Sequence, residues 1–151
     1  QVLFVPMSYW SHSGDDRLCG QAISEALGTP EWFTVLPECR SPRLIRALVE
    51  RSDWVLALSY HLHVFCMAAK RPMGLLTSGA YYGTKTAGTQ ALIGDSFPVI
   101  DLETATPHDI CAAIEMLTTK RDQMVSRLEE VAAEIEQTNC APVEFLAKAV
   151  G

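Results

Sequence analysis

Apolar residues fall along the chain in short runs, separated by stretches with helical spacing. Residues 2–7, VLFVPM, suit a buried strand, with Pro6 near its C-terminal end, where a lost ladder hydrogen bond costs least. A polar loop, SYWSHSGDD (8–16), follows. Leu18, Ala22, Ile23 and Leu27 then recur at helical spacing until Gly28 stops the helix. WFTVL (32–36) reads as a second strand. Ser41-Pro42 opens a helix with a capping residue and a proline at its first position, and Leu44, Ile45, Leu48 and Val49 form its apolar face.

Trp54 to Leu58 is continuously apolar, as expected of a strand covered on both faces. Val64, Met67 and Ala68 resume helical spacing. Pro72 introduces a fourth strand, MGLLT. The segment SGAYYGTKTAGT (78–89) reads as a Gly- and Thr-rich loop with a short helix near its end, and Phe97 to Leu102 as a fifth strand. Thr106, Pro107 and Asp109 then make a capped helix start. Ile110, Ile114, Leu117, Met124, Leu128, Val131 and Ile135 form one apolar stripe, predicting a long C-terminal helix with a tail over 107–151.

Strands and helices alternate with short connections, which predicts an α/β fold: a Rossmann-like parallel sheet with helices on both faces. In such sheets ligands bind beyond the carboxyl ends of the strands. The loops 8–16, 59–63 and 78–89 leave those ends.

The 151 residues suit a single domain. A net charge of −6 argues against an electrostatic grip on nucleic acid or an anionic membrane, though Lys70-Arg71 is a local positive patch. Aromatic residues are too scattered for an RNA platform. The cysteines Cys19, Cys39, Cys66, Cys111 and Cys140 form no CxxC pair, so free thiols in a reducing, cytoplasmic setting are expected. No apolar run approaches the ~20 residues of a membrane span. The chain begins apparently within a strand, as a piece of something longer would.

Candidate chemistry gathers in LALSYHLHVFCMAAKRPMGLL (56–76). In a strand His61 and His63 would share a face, and at a turn both could point into the crevice. Each reads either as a core histidine satisfied by a backbone bond or as a general acid or base, whose ordinary pKa lies near neutrality. The helix after them could hold an anion at its N-terminus. A zinc site would need His12, Asp15 or Asp16 as further ligands, and no metal is expected. Lys85 is either a solvated loop lysine or the cation that neutralises the same anion, assisted by Thr84, Thr86 and backbone amides. Asp15 and Asp16 read as helix N-terminal charges or as groups orienting a substrate hydroxyl. Arg40 and Arg43 flank the Ser-Pro helix start. No phosphate-loop signature and no Gly-x-Ser-x-Gly elbow occurs.

Residues 50–94 resemble the C-terminal domain of the polysaccharide pyruvyl transferase family. The pieces that carry the resemblance are Leu44–Ser52, Trp54–Leu58, the turn Ser59-Tyr60-His61-Leu62-His63, Ala68-Ala69, Arg71-Pro72 and Tyr82-Gly83-Thr84-Lys85. The opening VLFVPMSYWSHSGDD is similar to that domain's first strand and acidic loop, so the resemblance covers roughly residues 1–102. It implies the second lobe of a two-lobed GT-B-type enzyme that transfers an enolpyruvyl-derived group from phosphoenolpyruvate to a sugar or glycan, forming a ketal and releasing phosphate. No cofactor is implied. By that similarity His63 matches the acid that protonates the donor's methylene carbon, and Lys85 the lysine near the donor anion. Ser59, His61, Tyr82, Asp15 and Asp16 fall among the substrate-binding positions.

One departure stands out. The family's arginine two residues before its histidine is His61 here, and histidine does not reproduce arginine's permanent charge and bidentate fork. The first lobe, expected to carry much of the acceptor site, is missing, so turnover by this chain alone is not expected. Two other readings remain open. One is a GT-B glycosyltransferase using a nucleotide sugar, which an essential carboxylate near 78–89 would favour, Asp95 being the close one. The other is a non-catalytic binding or assembly domain that keeps the fold.

Overall fold

A computed structural model describes residues 1–10 and 14–138 in full and the backbone of 139–150. It divides the chain into two compact units, Gln1–Ala47 and Leu48–Gly151. Both are built from alternating strands and helices, so the mixed α/β class is as expected.

In the first unit, β1 (Val2–Phe4) is followed by β2 (Tyr9–Trp10) and β3 (Gly14–Asp15), which pair antiparallel within the segment read as a plain loop. Helix α1 (Asp16–Ala26) leads to β4 (Phe33–Val35), which pairs parallel with β1. The apolar spacing of α1 does not become a buried stripe within this unit: Leu18, Ala22, Ile23 and Leu27 are all exposed. Its buried residue is Gly20, against Phe4 and Val35. A side chain there would hold the helix off the strands, so closeness and not apolarity docks it. Helix α2 (Pro42–Arg51) spans the boundary between the units. It begins where Ser41-Pro42 predicts and buries Ile45 and Val49.

The second unit holds β5 (Val55–Ala57), α3 (Tyr60–Ala69), β6 (Met73–Thr77), α4 (Gly79–Ile93), β7 (Val99–Asp101), α5 (Pro107–Thr119) and α6 (Arg121–Val150). Its strands form a parallel sheet in the order β5-β6-β7. The five expected strands are all present and pair parallel, but their ladders form two sheets, β1-β4 and β5-β6-β7, and not one. Alternation of elements predicts parallel pairing; it does not say which strand neighbours which. The central strand β6 is covered on both faces. Gly74 lies beneath Leu117 of α5, while Thr77, of opposite parity, faces Gly83 of α4.

Two further expectations are corrected. Residues 79–93 are helical throughout, where a loop with a short helix was read. The C-terminal stripe belongs to two helices that meet at Lys120, whose backbone leaves the α conformation (φ −105°, ψ 20°). Leu117 on α5 and Met124, Leu128 and Val131 on α6 are all buried, while Ile135 is exposed. The Thr106–Asp109 capping box closes the start of α5 as expected: Thr106 N donates to Asp109 Oδ2 at 2.8 Å, and Asp109 N to Thr106 Oγ1 at 3.4 Å. No helix among the described residues is long and apolar enough to cross a membrane.

Candidate functional site

Adjacent parallel strands β5 and β6 each hand over to a helix by a short connection that ends in a serine, Leu58-Ser59 after β5 and Ser78 after β6. Ser59 and Ser78, both extended in backbone, stand at the N-cap positions of α3 and α4, and neither side chain caps its helix. Ser78 Oγ instead donates to Glu103 Oε1 at 3.3 Å, so a protein carboxylate stands at the start of α4. Among the described residues no carboxylate engages the Ser59 side chain in this way. The carboxyl ends of two neighbouring strands thus open onto two helix starts, one met by Glu103 and one without a side-chain cap.

Because α3 begins at Tyr60, His61 and His63 lie on a helix, where two residues are about 200° apart. They do not share a face. His61 is exposed, with its ring 6.4 Å from that of Tyr60. His63 is fully buried (0% exposed), and both its nitrogens are engaged inside the protein. Nε2 lies 2.9 Å from the Ala57 carbonyl at the end of β5, and Nδ1 3.2 Å from Thr89 Oγ1 on α4.

A carbonyl only accepts, so Nε2 carries the proton. In the neutral ring Nδ1 is then an acceptor, and Thr89 donates to it. Thr89 Oγ1 also lies 3.2 Å from the Lys85 carbonyl. Its one proton therefore faces two acceptors. Were the ring protonated, Nδ1–H would donate to Thr89, whose proton would turn to Lys85. Burial works against that charge and pushes the histidine below its ordinary value, the Ala57 carbonyl opposing in part.

Tyr81, Lys85 and Thr89 stand at i, i+4 and i+8 of α4, on one helix face. The face grades from wet to dry. Tyr81 is 65% exposed, Lys85 half-buried and Thr89 buried. Lys85 Nζ donates to Tyr81 Oη at 2.6 Å and lies 4.3 Å from the Tyr81 ring centroid and 5.9 Å from that of Tyr60. Tyr60 in turn stands edge-on to His63, their centroids 6.3 Å apart. Tyr82 is half-buried and edge-on to Tyr81 at 5.3 Å. Lys85 makes no ion pair with a carboxylate among the described residues.

The structure therefore groups Ser59, His61, His63, Tyr82 and Lys85 in the second unit. Asp15 and Asp16 belong to the first, and both act within it. Asp15 caps α1, accepting from Arg17 N at 3.0 Å and pairing with the Arg17 guanidinium at 2.5 Å, which holds its carboxyl below the usual range. Asp16 Oδ2 accepts from the backbone amides of Met7 and Ser8 at 2.8 and 2.9 Å. The helix-start reading of these two acids is the one this geometry satisfies. Arg40 pairs with Glu38 and lies 5.2 Å from the Tyr9 ring. In the second unit, Lys70 reaches Glu129 at 3.9 Å and Arg71 donates to the Glu50 carbonyl.

Among the described residues no group of three His, Cys, Asp or Glu side chains could hold a metal ion; His12 lies outside the described residues. Cys66 is buried on α3 with its thiol pushed up to about 12, which leaves it protonated and unreactive. No family model, curated protein or solved structure matches the chain.

Sequence reasoning missed Tyr60, Tyr81, Thr89 and Glu103. The 81–85–89 spacing was the signal for two of them, once the segment is read as a helix. Asp95, the carboxylate expected near this segment, instead accepts from Gln90 at 3.1 Å near the C-terminal end of α4. What the exposed end of the cluster offers is donors: the Lys85 ammonium and the hydroxyls of Ser59, Tyr60 and Tyr81. Donors of this kind are suited to an oxyanion, and no base among the described residues is hydrogen-bonded to one of these groups to activate it as a nucleophile.

Proposed function

We infer that this chain is the donor-side lobe of a pyruvyl transferase, a Rossmann-like half of a GT-B-type enzyme that takes phosphoenolpyruvate as donor and a sugar or glycan as acceptor. The reading rests on the resemblance across residues 1–102. The observation that supports it is Lys85, a cation without a carboxylate partner among the described residues, beside the side-chain-uncapped start of α3 at the carboxyl end of the sheet. A donor bearing both a phosphate and a carboxylate suits such a place. The resemblance gives His63 the acid's role. With both ring nitrogens engaged by Ala57 and Thr89, that role requires the ring to exchange one internal partner for the donor. Calorimetric titration with phosphoenolpyruvate, against UDP and a UDP-sugar, tests the reading. Saturable binding of phosphoenolpyruvate alone is expected. Nucleotide binding in its place would move the assignment to a glycosyltransferase.

A second reading has its own observation. His63 is enclosed as a structural histidine would be, and the arginine of the family's turn is the exposed His61. A non-catalytic domain that keeps the fold would look like this, and it would bind neither donor.

A further inference from the structure

The direction of one hydrogen bond singles out a residue that the resemblance passes over. An ammonium carries three N–H donors and no lone pair, so in the 2.6 Å contact between Lys85 and Tyr81 the phenol oxygen is the acceptor. The phenol's own proton must then point away from Lys85. No acceptor takes it among the described residues, and the ring is 65% exposed. Lys85 spends one N–H on Tyr81 and has no ion pair among the described residues for the others. One O–H and the remaining N–H donors thus stand side by side on one turn of α4. Their separation is close to the span between two oxygens of one phosphate or carboxylate. His63 has no such freedom, with both nitrogens held inside the protein.

We propose that Tyr81 contacts the donor directly, its hydroxyl donating to an oxygen of the oxyanion that Lys85 also binds. The proposal rests on the donor-lobe reading above and adds to it the residue that, with Lys85, recognises the anion. Tyr82, the tyrosine picked out by the resemblance, is half-buried and serves as an edge-on neighbour of the Tyr81 ring. The Lys85 hydrogen bond occupies the phenol oxygen as acceptor, which leaves its O–H to donate to a ligand.

Tyr81→Phe keeps the ring and its packing on Tyr82 and removes the hydroxyl, and with it the acceptor for one Lys85 N–H. Phosphoenolpyruvate is titrated into the unchanged chain, Tyr81→Phe and Tyr82→Phe, with inorganic phosphate and pyruvate as parallel probes. Circular dichroism checks that each variant is folded. The expected result is a roughly tenfold to hundredfold loss of phosphoenolpyruvate affinity in Tyr81→Phe, the worth of one hydrogen bond to a charged group. Tyr82→Phe should lose less than Tyr81→Phe, since its hydroxyl makes no contact in the proposal, and a larger loss there would overturn the assignment of Tyr81. A matching loss for phosphate or for pyruvate identifies which end of the donor Tyr81 meets. If Tyr81→Phe titrates like the unchanged chain while that chain binds phosphoenolpyruvate, the assignment of Tyr81 is overturned and the donor-lobe reading stands. If the unchanged chain does not bind phosphoenolpyruvate, both are overturned.

Discussion

His63 and Thr89 tie α3 to α4 through one buried contact, with Nδ1 3.2 Å from Oγ1 and both side chains shut off from solvent. Thr89 stands one turn from Lys85 with Oγ1 3.2 Å from the Lys85 carbonyl, so the tie reaches the base of the lysine. Thr89→Val keeps the shape and removes the hydroxyl, leaving Nδ1 buried without a partner. The expected cost is about 1–3 kcal/mol in urea unfolding, with Thr89→Ser close to the unchanged protein. Equal stability of Thr89→Val would show that the contact contributes nothing.

The same histidine makes stability depend on pH in a defined direction. Its folded value lies below the ordinary 6.5, because burial disfavours the charged ring. As pH falls through 6.5 towards that lower value, the unfolded chain takes up a proton that the folded chain resists, so stability falls. Asp15 and Asp109, held below 3.8 by Arg17 and Thr106, lose their contributions only in stronger acid. Urea midpoints should therefore drop between about pH 7.5 and about pH 5.5, and this slope should flatten in His63→Gln. An unchanged slope in that variant would assign the dependence to another group.

Gly20 tests how α1 docks on its strands. A Cβ there would lie 2.7 Å from Phe4 Cδ1 and 2.9 Å from Val35 Cγ1. Gly20→Ala gains up to about 1 kcal/mol of helix propensity against about 1–3 kcal/mol of overpacking. Net destabilisation is expected, seen as a lower melting temperature. A rise would mean that Phe4 and Val35 yield freely.

Much of this architecture is legible from residue spacing, and the failures have physical causes. The five strands stand out because short apolar runs between punctuating residues have few other uses. Helix α4 was hidden by composition: Gly79, Gly83 and Gly88 and three threonines suggest a loop. In the structure Gly83 lies against Thr77, while Thr86 and Thr89 are buried against neighbouring groups. Small residues there permit close packing and do not break the helix. The joint at Lys120 was invisible because Leu117 and Met124 stay in phase across it. The site was half legible. His63 and Lys85 could be named, but the direction in which His63 points depends on α3 starting at Tyr60, a start that Ser59 signals only as an N-cap.

His61 offers a gain-of-function test of the resemblance. Replacing this exposed residue as His61→Arg restores the permanent charge and fork of the family's turn. Phosphoenolpyruvate affinity should rise roughly tenfold, as one added charge-assisted hydrogen bond provides. No gain on calorimetric titration would count against a donor seated at this turn.

The most direct measurement is the calorimetric titration of phosphoenolpyruvate into the unchanged chain and into Lys85→Ala. A donor anion held at the exposed end of the α3–α4 pair predicts saturable binding that weakens at least about tenfold without the ammonium. Binding of equal strength in both proteins, or binding in neither, would contradict a donor site at Lys85.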